Sequence, residues 1–154
     1  MEQTQEHADV VAPPPLLYAG TLLAGLLLQR VARLPAPPRP LRWLGLLLGG
    51  AGLALGGWGF ATLRRAGTEV RPDRPSSVLV TSGPYRFTRN PLYLSLALLC
   101  GGISLRAGAA APLALLPGLL AVVQWGVIGR EERYLERRFG EAYRAYRGRV
   151  RRWL

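Results

Sequence analysis

Asn90–Gly129 reads NPLYLSLALLCGGISLRAGAAAPLALLPGLLAVVQWGVIG, and Arg106 is its one charged residue. Two apolar runs flank that arginine: Asn90–Leu105 with 16 residues and Ala107–Gly129 with 23. A helix needs about 20 apolar residues, with a range of roughly 17–25, to cross the hydrocarbon layer. The pair therefore reads as two membrane spans, the first of them short, joined by a tight turn into a helical hairpin. Pro112 and Pro117 fall in the second arm, where neighbouring helices can satisfy the backbone groups that a kink frees.

Towards the N-terminus, Trp43–Leu63 is another uncharged run, of 21 residues, closed by Arg64 and Arg65. Gly45/Gly49 and Gly52/Gly56 recur every four residues, a spacing that lets helix backbones approach closely. Gly56-Gly57-Trp58-Gly59 has no strand before it and lies inside this apolar helix, so it reads as a packing surface and not as a nucleotide loop. Pro13–Gln29, with 17 uncharged residues, meets the length requirement narrowly and gives a span over about 13–33. Arg30 and Arg33 end it with stems long enough to snorkel to the interface. Pro35, Pro37, Pro38 and Pro40 form a stiff connector. Residues 1–12 are polar and read as a flexible tail, without the positive opening of a signal peptide. Towards the C-terminus, Glu132, Leu135, Phe139, Tyr143 and Tyr146 recur at spacings of three and four, so 130–147 is expected as one amphipathic helix, interrupted only by the residue type of Gly140.

The expected fold is all-α. It is a polytopic membrane helical bundle of about four spans (13–33, 43–63, 90–105 and 107–129) with a C-terminal amphipathic helix, forming a single domain over 13–154. The chain has 20 Arg, no Lys, nine acidic residues and a net charge of +11, yet is 49% hydrophobic. Segregation reconciles the two: Arg130–Leu154 alone carries nine Arg. Such clusters suit anionic headgroups, and no nucleic-acid motif accompanies them. The Arg64–Arg89 loop and the Arg-rich end flank the hairpin on one side, which the positive-inside rule assigns to the cytoplasm. With a composition rich in Ala, Arg, Gly, Pro and Leu, the expected location is a prokaryotic inner membrane.

Residue types narrow the chemistry. Without Lys there is no Schiff base and no P-loop lysine. His7 and Cys100 are single, which excludes a His-based metal site, a Ser-His-Asp triad and an internal disulfide. Cys100 sits in Leu98-Leu99-Cys100 and reads as inert packing. Two polar segments remain, and an antiparallel hairpin brings them to one membrane face: Leu79–Tyr93 and Arg130–Tyr146. Asn90-Pro91 has the composition of a helix N-cap followed by the first helical residue, and a helix N-terminus also attracts anions. Arg89 beside it can grip a carboxylate through two parallel hydrogen bonds. Glu131-Glu132 can offset a helix dipole or serve a ligand, and Tyr143 and Tyr146 read by residue type as interfacial aromatics.

These segments resemble the isoprenylcysteine carboxyl methyltransferase family and the related phospholipid amine methyltransferases. That family carries a Gly-x-Tyr turn, then Arg-His-Pro-x-Tyr opening a helix. After a hairpin come paired Glu, a Leu, Phe-Gly and two Tyr three apart. Here the first motif is Gly83-Pro84-Tyr85 followed by Arg89-Asn90-Pro91-Leu92-Tyr93. The second is Glu131-Glu132, Leu135, Phe139-Gly140, Tyr143 and Tyr146. The resemblance covers about Leu79–Val150, and Asn90 stands where the family has His. It implies an integral membrane methyltransferase that moves a methyl group from S-adenosylmethionine to a lipophilic acceptor, a carboxylate, thiol or amine. It implies cofactor binding by Gly83, Tyr85, Arg89, Asn90, Pro91, Tyr93, Glu131 and Glu132, with Arg89 and Glu132 as the catalytic pair, no metal, and an active site facing the cytoplasm. Since Asn does not titrate near neutral pH, the alternative is a non-enzymatic membrane protein that keeps the fold.

Overall fold

Pro14 and Pro91 each occupy a first helical turn, where proline removes only an amide that has no intrahelical partner. From them start two of the helices in the computed structural model, which describes residues 13–68 and 78–154. The elements are α1 (Pro14–Val31), α2 (Leu41–Arg65), a 3₁₀ turn (Gly83–Arg86), α3 (Pro91–Ala107), α4 (Ala110–Val122), a π-helical turn (Val123–Ile128), α5 (Gly129–Phe139) and α6 (Glu141–Arg149). Among the described residues there is no strand. The predicted tail 1–12 lies outside the described residues, as does 69–77 of the Arg64–Arg89 loop. Leu79–Thr81 carries no regular structure.

α3 is the central helix and touches α1, α2 and α4. Small residues let it sit there. Gly45, Gly52 and Gly59 of α2, seven residues apart, are buried. A Cβ on Gly52 would come 2.9 Å from the Ser95 carbonyl oxygen, and one on Gly102 would come 2.6 Å from the Gly49 amide nitrogen. The glycine repeat thus packs as its spacing predicts. On the other side, Gly25 of α1 meets Pro112 of α4 at backbone distance. Gln29 Oε1 accepts from the amides of Ala110 and Ala111, satisfying two donors at the start of α4. The core is Tyr18, Cys100, Leu119, Val123, Val127 and Ile128. Outward faces are apolar: Leu47 is 71% and Leu53 68% exposed. A contiguous apolar exterior of this kind marks a surface made for lipid or a partner.

Two helices, Leu41–Arg65 and the continuous Ala110–Phe139, are long and apolar enough to cross a membrane. α1 has 18 residues and α3 has 17. The hairpin turn is Gly108-Ala109, with Gly108 in the left-handed conformation, φ 67°. The expected single amphipathic helix over 130–147 is corrected in two ways. No break separates it from the preceding span, because Gly129-Arg130 changes polarity without adding a helix breaker. It does break at Gly140, whose φ of 51° and ψ of −122° are open to glycine and strained for side chains. As a result Tyr134 joins Glu132, Tyr143 and Tyr146 among the buried residues, while Leu135 and Phe139 are half-buried.

Candidate functional site

The polar ends of the hairpin meet where the sequence places them. Glu131 and Glu132 lie in the first turn of α5, just past the π-helical turn. Tyr93, in the first turn of α3, donates its hydroxyl to Glu131 Oε2 at 2.9 Å. Arg89 Nη1 lies 3.0 Å from Glu132 Oε1, and both side chains are 11% exposed. These two contacts join the Arg89–Tyr93 segment to the carboxylate pair across the apolar hairpin.

Asn90 differs from expectation. It sits at the cap position, but its side chain makes no cap hydrogen bond. Its Nδ2 instead donates to the Arg152 carbonyl at 2.9 Å. The side chain is drawn to the tail Val150–Trp153, which folds back over this corner, while the Asn90 amide donates to Thr88 Oγ1. The Arg89 amide donates to the Arg151 carbonyl at 3.0 Å. Thr88 Oγ1 donates to the Arg152 carbonyl at 3.1 Å. Arg152 then forks onto Glu132, with Nε 3.1 Å from Oε1 and Nη2 2.6 Å from Oε2. Trp153 Nε1 donates to Gln124 Oε1 at 2.6 Å, fastening the tail to the π-helical turn. Thr88, Gln124, Arg152 and Trp153 were not among the residues expected from sequence. Arg152 is one of nine arginines in its segment, and nothing in their spacing sets it apart.

Tyr143 and Tyr146 are not interfacial. They are 1% and 4% exposed, pack edge to face, and form the floor of the cluster. Tyr146 donates its hydroxyl to the Tyr85 carbonyl at 2.7 Å, which ties α6 to the Gly83–Arg86 turn. Gly83 makes that turn possible, with φ at 58° and the space a Cβ would need taken by Thr62 Oγ1 at 2.6 Å. Pro84 and Pro91 are buried beside it. Burial, reinforced by the Glu132 carboxylate and opposed by the Arg89 guanidinium, pushes the Tyr143 phenol up to about 12. Burial also raises Tyr146, and burial with Glu131 raises Tyr85. All three phenols are therefore neutral at physiological pH.

The described residues hold no group of His, Cys, Asp and Glu suited to a metal ion. What they do hold is two guanidiniums around one carboxylate, plus a second carboxylate held by a phenol. Arg89 Nε is buried without a hydrogen-bond partner, and Arg89 Nη1 is ion-paired with Glu132 without hydrogen-bond alignment. Buried donors of a charged group are costly to leave unsatisfied, so this corner is chemically disposed to take an anionic oxygen.

A Haemophilus influenzae protein described as uncharacterized is 44% identical over 64 residues, which are 41% of this chain and 100% of the relative. No solved structure matches the chain. A sequence profile does match, over residues 41–142, from the glycine-spaced α2 through both halves of the polar cluster into α6, and by that match the chain belongs to the phospholipid methyltransferase family.

Proposed function

We propose that this protein is a membrane-embedded methyltransferase that moves a methyl group from S-adenosylmethionine to a lipophilic acceptor, with α1 to α4 crossing the bilayer and the polar cluster at its cytoplasmic face. The observation that carries the reading is the union of Arg89, Tyr93, Glu131 and Glu132 at one end of an apolar hairpin. The donor set suits the cofactor. Its carboxylate fits the partnerless Arg89 Nε, beside the N-terminus of α3. Both oxygens of Glu132 are engaged by arginines, so its part is to hold those guanidiniums. Glu131, bound through one oxygen to Tyr93, is the carboxylate assigned to the ribose hydroxyls. Tyr85 and Tyr93 offer aromatic faces to a sulfonium.

When bound, the cofactor supplies an electrophilic methyl group. The chain's own work is to align the acceptor with that methyl and to exclude water, and alignment alone lowers such barriers substantially. A carboxylate acceptor has no proton to lose. A thiol or amine would pass its proton to Glu131 or to water, since the neighbouring phenols are held in their neutral form.

Titration calorimetry of the detergent-purified protein with S-adenosylhomocysteine tests the reading. Micromolar affinity is expected. Arg89→Ala should weaken it by about tenfold to a hundredfold, the equivalent of the ~1.5–3 kcal/mol carried by a hydrogen bond to a charged group. Absence of binding by a folded, monodisperse sample would sink the proposal.

A further inference from the structure

Arg152 grips both halves of the site. Its carbonyl takes hydrogen bonds from Thr88 and Asn90, on the approach to α3. Its guanidinium forks onto Glu132, on α5. The fork fixes the plane of the Glu132 carboxylate and engages both of its oxygens. Arg89 is then left one contact with Glu132, through Nη1 to Oε1, beside its hydrogen bond to Tyr143, and keeps Nε without a partner. Arg152 is also the outermost member of the trio, with a side chain 33% exposed against 11% for Glu132.

The local charge follows from the same three side chains and Glu131. Arg89 and Arg152 balance the carboxylates of Glu132 and Glu131 beside Tyr143. Without Arg152 one carboxylate is left in excess. Glu132 would also be free to turn and take Arg89 by two parallel hydrogen bonds, the preferred geometry of an arginine–carboxylate pair. Donors now left open on Arg89 would be consumed inside the protein.

We infer that Arg152 is a positioning residue: by occupying Glu132 it keeps Arg89 available to an anionic oxygen of the ligand. This inference rests on the methyltransferase reading for the identity of the ligand, and it extends that site to Val150–Trp153. The role is indirect, since Arg152 acts through Glu132.

The test is the affinity of full-length protein in detergent for S-adenosylhomocysteine, measured for the wild type, Arg152→Ala, Glu132→Gln and the double variant. Arg152→Ala should bind about tenfold more weakly or worse. Adding Glu132→Gln to it should recover most of that loss, because a neutral amide cannot capture Arg89 as a carboxylate does and the local charge balance is restored. A tail that matters only for folding predicts the reverse, a double variant at least as weak as Arg152→Ala, and that result overturns the inference. Unchanged affinity in Arg152→Ala also overturns it. Should Arg152→Ala fail to fold, Arg152→Met carries the test: it keeps the length of the stem but offers Glu132 no donor, and wild-type affinity in that variant would refute the role. Failure of the wild type itself to bind counts against the methyltransferase reading and is thereby distinguished from failure of the Arg152 inference.

Discussion

Tyr143 shows how a single residue reports on the whole cluster. Its phenol is raised to about 12 by burial and by the Glu132 carboxylate. An unfolded tyrosine titrates near 10. The folded state therefore holds the proton more tightly, and the resulting stability is complete below about pH 10 and is lost as pH rises towards 12. Thermal unfolding in detergent should show a steep alkaline decline in that window, and Tyr143→Phe should remove part of it. An unchanged decline in the variant would mean that Tyr143 is not held as described. At this scale the sequence was legible where residue type and spacing carry chemistry. Arg89, Tyr93, Glu131 and Glu132 stand out because few charged or phenolic groups border an apolar hairpin, and a hairpin must bring its ends together. Arg152 was illegible for the opposite reason, since it is surrounded by residues of its own kind and its partners lie 20 and 62 positions away. The side chain of Asn90 was misread because capping is a local rule, and the tail that outbids it is not local.

Helix pairing is set by absent side chains. Gly102 and Gly50 are both helical, yet a Cβ on the first would strike the Gly49 amide at 2.6 Å and one on the second would meet nothing within 4 Å. The same substitution should then have opposite effects. Gly102→Ala should destabilise α2–α3 docking by about 1–3 kcal/mol or more, the usual cost of overpacking. Gly50→Ala should be neutral or stabilising by about 0.5–1 kcal/mol, since alanine is the better helix former. Melting temperatures of the two variants in one detergent decide it, and equal losses would contradict the packing described. Four-residue glycine spacing made this interface readable in advance. Element boundaries were less so. A change from apolar to charged composition at Gly129-Arg130 looks like an end and is not one, because hydrogen bonding along a helix is indifferent to side-chain polarity. Gly140 looks like a tolerable interruption and is a true break, because its backbone turns to bring Tyr143 and Tyr146 back beneath the carboxylates.

For the molecule as a whole, the question is which solvent the outer faces meet. Leu53 lies at the middle of α2 and is 68% exposed. In water, Leu53→Arg would change stability by roughly 0.5 kcal/mol or less, as surface substitutions do. At the centre of a membrane span it should cost about 2.5–3.5 kcal/mol of insertion free energy. An insertion assay on the full chain, with the variant beside the wild type, separates the two cases, and indifference to the substitution would remove α2 from the bilayer. The all-helical architecture was readable from hydropathy alone, whereas the number of crossings rests on α1 and α3, which are shorter than the other two apolar helices. The π-helical turn at Val123–Ile128 carries a consequence for how membrane and site communicate. A turn that accommodates one extra residue advances everything beyond it by about 100° around the helix axis. The angular heading of Glu131 and Glu132 is thus dialled by six residues, five of them apolar, that lie outside the polar cluster, working as a fixed phase-shifter on the shaft that runs from lipid to carboxylate. Trp153, hooked to Gln124 inside that turn, locks the dial at the same point where the tail closes the site.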